Sequence, residues 1–136
     1  MATIIDGKKV SAEVKAEVKT EVAELKAKGI NVGLAVVLVG EDPASKVYVR
    51  NKKRACEEIG IMSQEYILPE DTNEEELLGL ISALNAEPAV NGILCQLPLP
   101  RGLSEEKVIA AISPEKDVDA FNIANVGRIV TGDYDF

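Results

Sequence analysis

The sequence predicts an α/β fold: an open, mostly parallel sheet flanked by helices, in a single domain. Three observations predict it. Gly33-Leu34-Ala35-Val36-Val37-Leu38-Val39-Gly40 is an unbroken apolar run between glycines, the pattern of a strand covered on both faces of a parallel sheet. An amphipathic helical segment follows, and then a second strand-like run ending in Tyr66-Ile67-Leu68 before Pro69, which together make a βαβ unit. Apolar residues form 46% of the chain and aromatic residues only 4%, which fits an aliphatic core between helices and a sheet. A chain of 136 residues can bury such a core without disulfide or metal support.

The elements follow in order. Over residues 8–28, Val10, Val14, Val18, Val22 and Leu25 recur at helical spacing among Lys and Glu, and Gly29 supplies the stop. After the first strand, Asp42 can cap a helix by accepting backbone N–H groups, and Pro43 suits its first position because its missing N–H would be unpaired anyway. That helix runs to Gly60. Thr72 and Glu75 form a capping-box signature for a third helix, with Leu77, Leu78, Ile81 and Leu84 on its apolar face, ending before Pro88. Residues 90–97 read as a third strand running into Pro98-Leu99-Pro100, a stiff extended loop at the strand end where ligands of open α/β sheets bind. Ser104 caps a fourth helix, with Leu103 and Val108 as its staple, and Pro114 follows its end.

Chemistry concentrates on the helix that starts at Pro43. At about 100° per residue, Ser45, Tyr48 and Lys52 share one face, extended by Ala55, Cys56 and Ile59. Lys46, Arg50 and Lys53 lie about a third of a turn away, on a solvated stripe. An amine facing apolar surroundings loses hydration, which favours its neutral, proton-accepting form. The same position also suits a snorkelling lysine whose stem covers the core. Tyr48, one turn earlier, puts a phenol and an amine over one pocket.

Composition excludes several classes. The net charge of −8 argues against a general nucleic-acid or anionic-membrane surface, although the basic cluster of Lys46, Arg50, Lys52, Lys53 and Arg54 could attract a small anion. The chain has no His, so Ser-His-Asp and Cys-His arrangements are ruled out and proton transfer falls to Lys, Tyr, Asp or Glu. Cys56 and Cys95 belong to no metal-ligand spacing, and no metal is expected. The start lacks a signal-like apolar region and no run reaches membrane-spanning length, so a cytoplasmic protein is expected. Asp117-Val118-Asp119 alternates two carboxylates that can face one side of an extended loop; such a pair caps loops or binds metal, and the bare pattern favours capping.

Four ordered motifs resemble one family: Gly40-Glu41-Asp42-Pro43-Ala44-Ser45 with Tyr48-Val49-Arg50-Asn51-Lys52, then Gly92-Ile93-Leu94-Cys95-Gln96-Leu97-Pro98-Leu99-Pro100, then Lys116-Asp117-Val118-Asp119, then Asn125-Val126-Gly127-Arg128. The chain is similar along its whole length to the amino-terminal half of the bifunctional methylenetetrahydrofolate dehydrogenase/methenyltetrahydrofolate cyclohydrolase family. The resemblance implies that residues 1–136 are the folate-binding catalytic domain and that the NADP-binding Rossmann domain lies outside this chain, which has no G-x-G-x-x-G loop. A fragment or isolated domain is therefore expected, with NADP bound only in the complete enzyme, a folate as substrate, and a homodimer when complete.

By the same resemblance, Lys52 is the catalytic lysine that assists proton transfer as water adds to the methenyl carbon. Tyr48 is the aromatic wall for the folate rings, with its hydroxyl near the reacting centre. Gln96 hydrogen-bonds the lysine, and Asp119 holds the pterin amino group and ring N–H as a charged acceptor. Cys95, Leu97, Pro98 and Pro100 line the pocket, while Asp42 and Ser45 support the helix start. Two positions depart from the family pattern: Ala120 where Gly is common, and Asn122 where many members have His. A φ above zero at position 120 would cost Ala on the order of 1 kcal/mol.

Two other readings match parts of the chain. Tyr48 and Lys52 match the Tyr-x-x-x-Lys spacing of short-chain dehydrogenases, but no glycine-rich cofactor loop precedes them. A non-catalytic, stand-alone folate-binding or interaction module is the alternative from another class.

Overall fold

A computed structural model describes residues 4–134. The apolar run becomes β1 (Gly33–Val39), the central strand of a three-stranded, all-parallel sheet. On one side it pairs with β2 (Met62–Leu68), Val36 opposite Glu65; on the other it pairs with β3 (Gly92–Cys95), Val36 opposite Leu94. The sheet order is β2-β1-β3. The step from β1 to β2 and the step from β2 to β3 therefore run in opposite directions. With one crossover hand, the intervening helices must lie on opposite faces.

They do. From α2 (Pro43–Ile59), Val49 packs with Val36, Leu38 and Leu94 on one face. From α3 (Glu74–Ala86), Leu77, Ile81 and Leu84 pack with Ala35, Val37 and Val39 on the other, joined there by Val108 of α4 (Glu105–Ala111). Successive β1 residues thus serve alternate cores, which is why the run is continuously apolar. Because α2 and α4 leave neighbouring strands toward opposite faces, a crevice opens at the C-terminal ends of β1 and β3.

Several boundaries differ from the sequence expectation. The cap of α3 is Asn73, which accepts from Glu76 N at 2.9 Å, and Glu76 reaches back to Asn73 N; Thr72 and Glu75 sit one position too early. Either pair satisfies the capping-box spacing, and Thr72 is instead buried under the turn. The third strand is shorter than residues 90–97, although Gln96 N still donates to Val37 O at 2.8 Å. The first helix, α1 (Gly7–Ala27), is capped by Asp6 and buries only Val22; Val10 and Val14 are half exposed. The segment after Phe121, read only as a motif, forms α5 (Ile123–Thr131), ended by Gly132.

Ala120 is the non-glycine residue with positive φ among the described residues, at 55°. Its Cβ crowds the backbone in this left-handed conformation, a strain of about 1–2 kcal/mol. Ala120→Gly is expected to stabilise the fold by about 1 kcal/mol, read as a raised Tm, once the extra flexibility of unfolded Gly is subtracted.

Candidate functional site

The crevice is built by α2, the end of β3 and the loop before α5. Asp42 caps α2 by accepting from Ser45 N at 2.7 Å; that bond holds its carboxyl below the ordinary carboxylate range. Ser45, Val49 and Cys56 form the buried line of the helix, and Lys52 falls within it, half-buried. Lys52 Nζ donates to Gln96 Oε1 at 2.8 Å. Gln96 Nε2 in turn donates to Leu97 O at 2.9 Å, which fixes the amide with its oxygen toward the lysine. The amine is thus oriented by a neutral acceptor.

Lys52, Gln96 and Asp119 line one cavity of about 260 Å³, with Leu94, Cys95, Leu97 and Phe121 as the other walls. Burial raises the pKa of Asp119, the charge of Lys52 opposes that rise, and Asp117 adds to it. An Asp whose folded pKa is raised binds its proton more tightly folded than unfolded, so its ionisation withdraws stability as pH climbs from the unfolded toward the folded value. The fold therefore carries this carboxylate at a cost at neutral pH. The Cys95 thiol is pushed up to about 12, by burial first and then by Asp119 and Glu105, so it stays protonated and serves as wall.

A larger open depression of about 600 Å³ lies over the turn after β2, around Asp71, Asn73 and Glu76. Its titratable lining is acidic only, so it lacks the amine, amide and carboxylate combination of the crevice.

Other expected site residues fall differently. Tyr48 is 59% exposed and is not among the residues lining the cavity. Ser45 and Val49 centre the buried face, and Tyr48 lies about 60° to one side of Ser45 while Val49 lies about 40° to the other. Pro98 and Pro100 line a neighbouring depression with Gly40, Asp42 and Glu70, not the Lys52 cavity; the Leu97–Pro98 peptide is cis. The two carboxylates of the Asp-Val-Asp run are divided. Asp117 accepts from Asn122 N and Asn125 Nδ2, while Asp119 faces the cavity. Among the described residues no group of His, Cys, Asp or Glu is placed to hold a metal ion.

Phe121 was missed by sequence reasoning. It lies two residues beyond Asp119, but the left-handed Ala120 between them breaks the extended chain, so period-two spacing carried no signal for a shared face. Asn122 turns away instead: its side chain donates to Ile112 O at 3.0 Å and caps α5 by accepting from Ala124 N.

Residues 5–119 match the family described as tetrahydrofolate dehydrogenase/cyclohydrolase, catalytic domain. The chain belongs to this family. Among curated members, the bifunctional protein FolD of Moorella thermoacetica is 65% identical over 132 residues, covering 97% of this chain and 47% of that protein. The FolD methylenetetrahydrofolate dehydrogenase/cyclohydrolase of Campylobacter jejuni superposes with a TM-score of 0.96 at 47% identity, covering 98% of this chain and 47% of that one. A methylenetetrahydrofolate dehydrogenase-cyclohydrolase from Trypanosoma brucei, solved with NADP and an inhibitor, gives 0.89 at 35% identity over 94% of this chain and 44% of that one. The chain spans about half the length of these tetrahydrofolate dehydrogenase/cyclohydrolase family members.

Proposed function

We propose that this chain supplies the folate site and the catalytic lysine of a bifunctional enzyme. That enzyme oxidises 5,10-methylenetetrahydrofolate with NADP and hydrolyses the methenyl product to 10-formyltetrahydrofolate. The observation that carries the reading is the 2.8 Å bond from Lys52 to Gln96 at the wall of a cavity that also holds Asp119. In this reading, Asp119 accepts hydrogen bonds from the pterin amino group and ring N–H, and Phe121 and Leu97 cover the ring.

The second reaction needs a proton shuttle. Water adds to the methenyl carbon and gives up a proton; the bond from that carbon to N5 then breaks, N5 takes a proton, and the carbon's hydroxyl loses one as the formyl carbonyl forms. Lys52, held by Gln96, is the acceptor and donor for these transfers. Tyr48 closes over the outer edge of the substrate from one helical turn away.

The sequence contains no G-x-G-x-x-G turn of the kind that opens a dinucleotide-binding helix. In this reading, hydride transfer to NADP takes place in a protein of the relatives' full length. The direct test is methenyl hydrolysis by a full-length protein carrying this domain, with and without Lys52.

A further inference from the structure

We propose that Asn125 is a positioning residue, which acts through Asp117 to aim Asp119 into the cavity. The proposal deepens the folate reading and rests on it for the role of Asp119, but its test does not. Asn125 sits in the first turns of α5 and is fully buried. Its Nδ2 donates to Pro114 O at 2.8 Å and to Asp117 Oδ2 at 3.1 Å. The same carboxylate oxygen accepts from Asn122 N at 2.8 Å.

One side chain therefore ties the start of the loop to its middle and to the helix at its end. The loop is also anchored to the sheet, where Ile93 N donates to Lys116 O at 2.7 Å and Asp117 bridges Ile93. Between these anchors, Ala120 N donates to Asp117 O at 3.3 Å and Ala120 adopts its left-handed φ. That turn separates Asp117, which points into the clasp, from Asp119 and Phe121, which line the cavity.

Two local costs converge on this loop. Asn125 Oδ1 is buried without a hydrogen bond, and a buried unmade hydrogen bond is unfavourable. Ala120 is strained as well. Strain and unsatisfied polarity persist where the surroundings over-determine a conformation, and such places cluster at functional sites. Here one falls on the residue after Asp119 and the other at the start of the helix that ends its loop. Asn85 is a natural comparison: it also clasps backbone, donating to Ala111 O at 2.8 Å and accepting from Ser113 N at 2.9 Å, but it holds α3 to the end of α4 and lines no part of the cavity.

The test is a carboxyl-carbon NMR titration of Asp119 in the unliganded chain, wild type against Asn125→Ala and Asn85→Ala. The charged groups acting on Asp119 are Lys52 and Asp117, and both are kept in every variant. Opening the clasp hydrates the carboxyl, so in Asn125→Ala the midpoint is expected to fall from its raised position toward the ordinary aspartate range. In Asn85→Ala it is expected to stay at the wild-type value even though Tm falls. If Asn125→Ala alone does not fold, the pair Asn125→Ala/Ala120→Gly is compared with Ala120→Gly, and the same fall is expected. A midpoint unchanged by loss of the Asn125 side chain, or moved equally by Asn85→Ala, overturns the proposal. Because no folate is present, the outcome is separate from whether the chain binds one.

Discussion

Lys52→Ala, in a protein of the relatives' full length that carries this domain, is expected to lower methenyl hydrolysis by about 10²-fold or more, the scale of a positioned acid–base group. Stability should change little. The residue is half-buried and its ammonium makes one hydrogen bond, to Gln96, so its loss costs about 1 kcal/mol. The two readouts must therefore separate: a large fall in turnover with Tm lower by only about 2–4 °C. The rival snorkelling role predicts the reverse, because a lysine that only covers apolar surface contributes through packing. A hydrolysis rate matching wild type would remove Lys52 from the mechanism.

Gly33→Ala is expected to be among the most damaging single-methyl changes to the fold. Gly33 opens β1, and a Cβ there would collide with the carbonyl oxygen of Ala89 in the segment that leads into β3. The obstacle is backbone, held by reciprocal bonds: Gly33 N donates to Asn91 Oδ1 and Asn91 N to Gly33 O, each at 2.8 Å. No side-chain rotation relieves it, so β1 and β3 must part at one end. We expect a loss of about 3 kcal/mol or more, and a Tm lower by about 10 °C, in thermal unfolding. A Tm within a degree or two of wild type would mean that the two strand starts are not packed this closely.

The difference between these residues reflects what a sequence can carry. The central strand was legible because burial on both faces leaves an unbroken apolar signature, and the Asp42-Pro43 start of α2 because cap and first-turn preferences are local. Gly33 was legible only as punctuation; its steric role depends on Ala89, more than fifty residues away. The Lys52–Gln96 bond likewise joins residues far apart in the chain, and resemblance to the family, not periodicity, brought them together. The division of Asp117 from Asp119 was hidden because period-two alternation assumes extended chain, and the turn closed by Ala120 N donating to Asp117 O breaks that assumption. Helical phase misplaced Tyr48 by a modest angle, enough to move a side chain from a cavity wall to the surface. In α1, Val10 and Val14 follow a good apolar pattern yet remain half exposed, because periodicity marks a face without saying what covers it.

The central claim is that the crevice between α2 and the end of β3 is a folate site. Titrating the isotope-labelled chain with tetrahydrofolate and following its NMR spectrum tests this most directly. The account predicts saturable shifts concentrated at Lys52, Gln96, Asp119 and Phe121, weakened by Asp119→Ala. Shifts absent up to millimolar ligand, or gathered instead around Asp71 and Glu76 at the other depression, would contradict it.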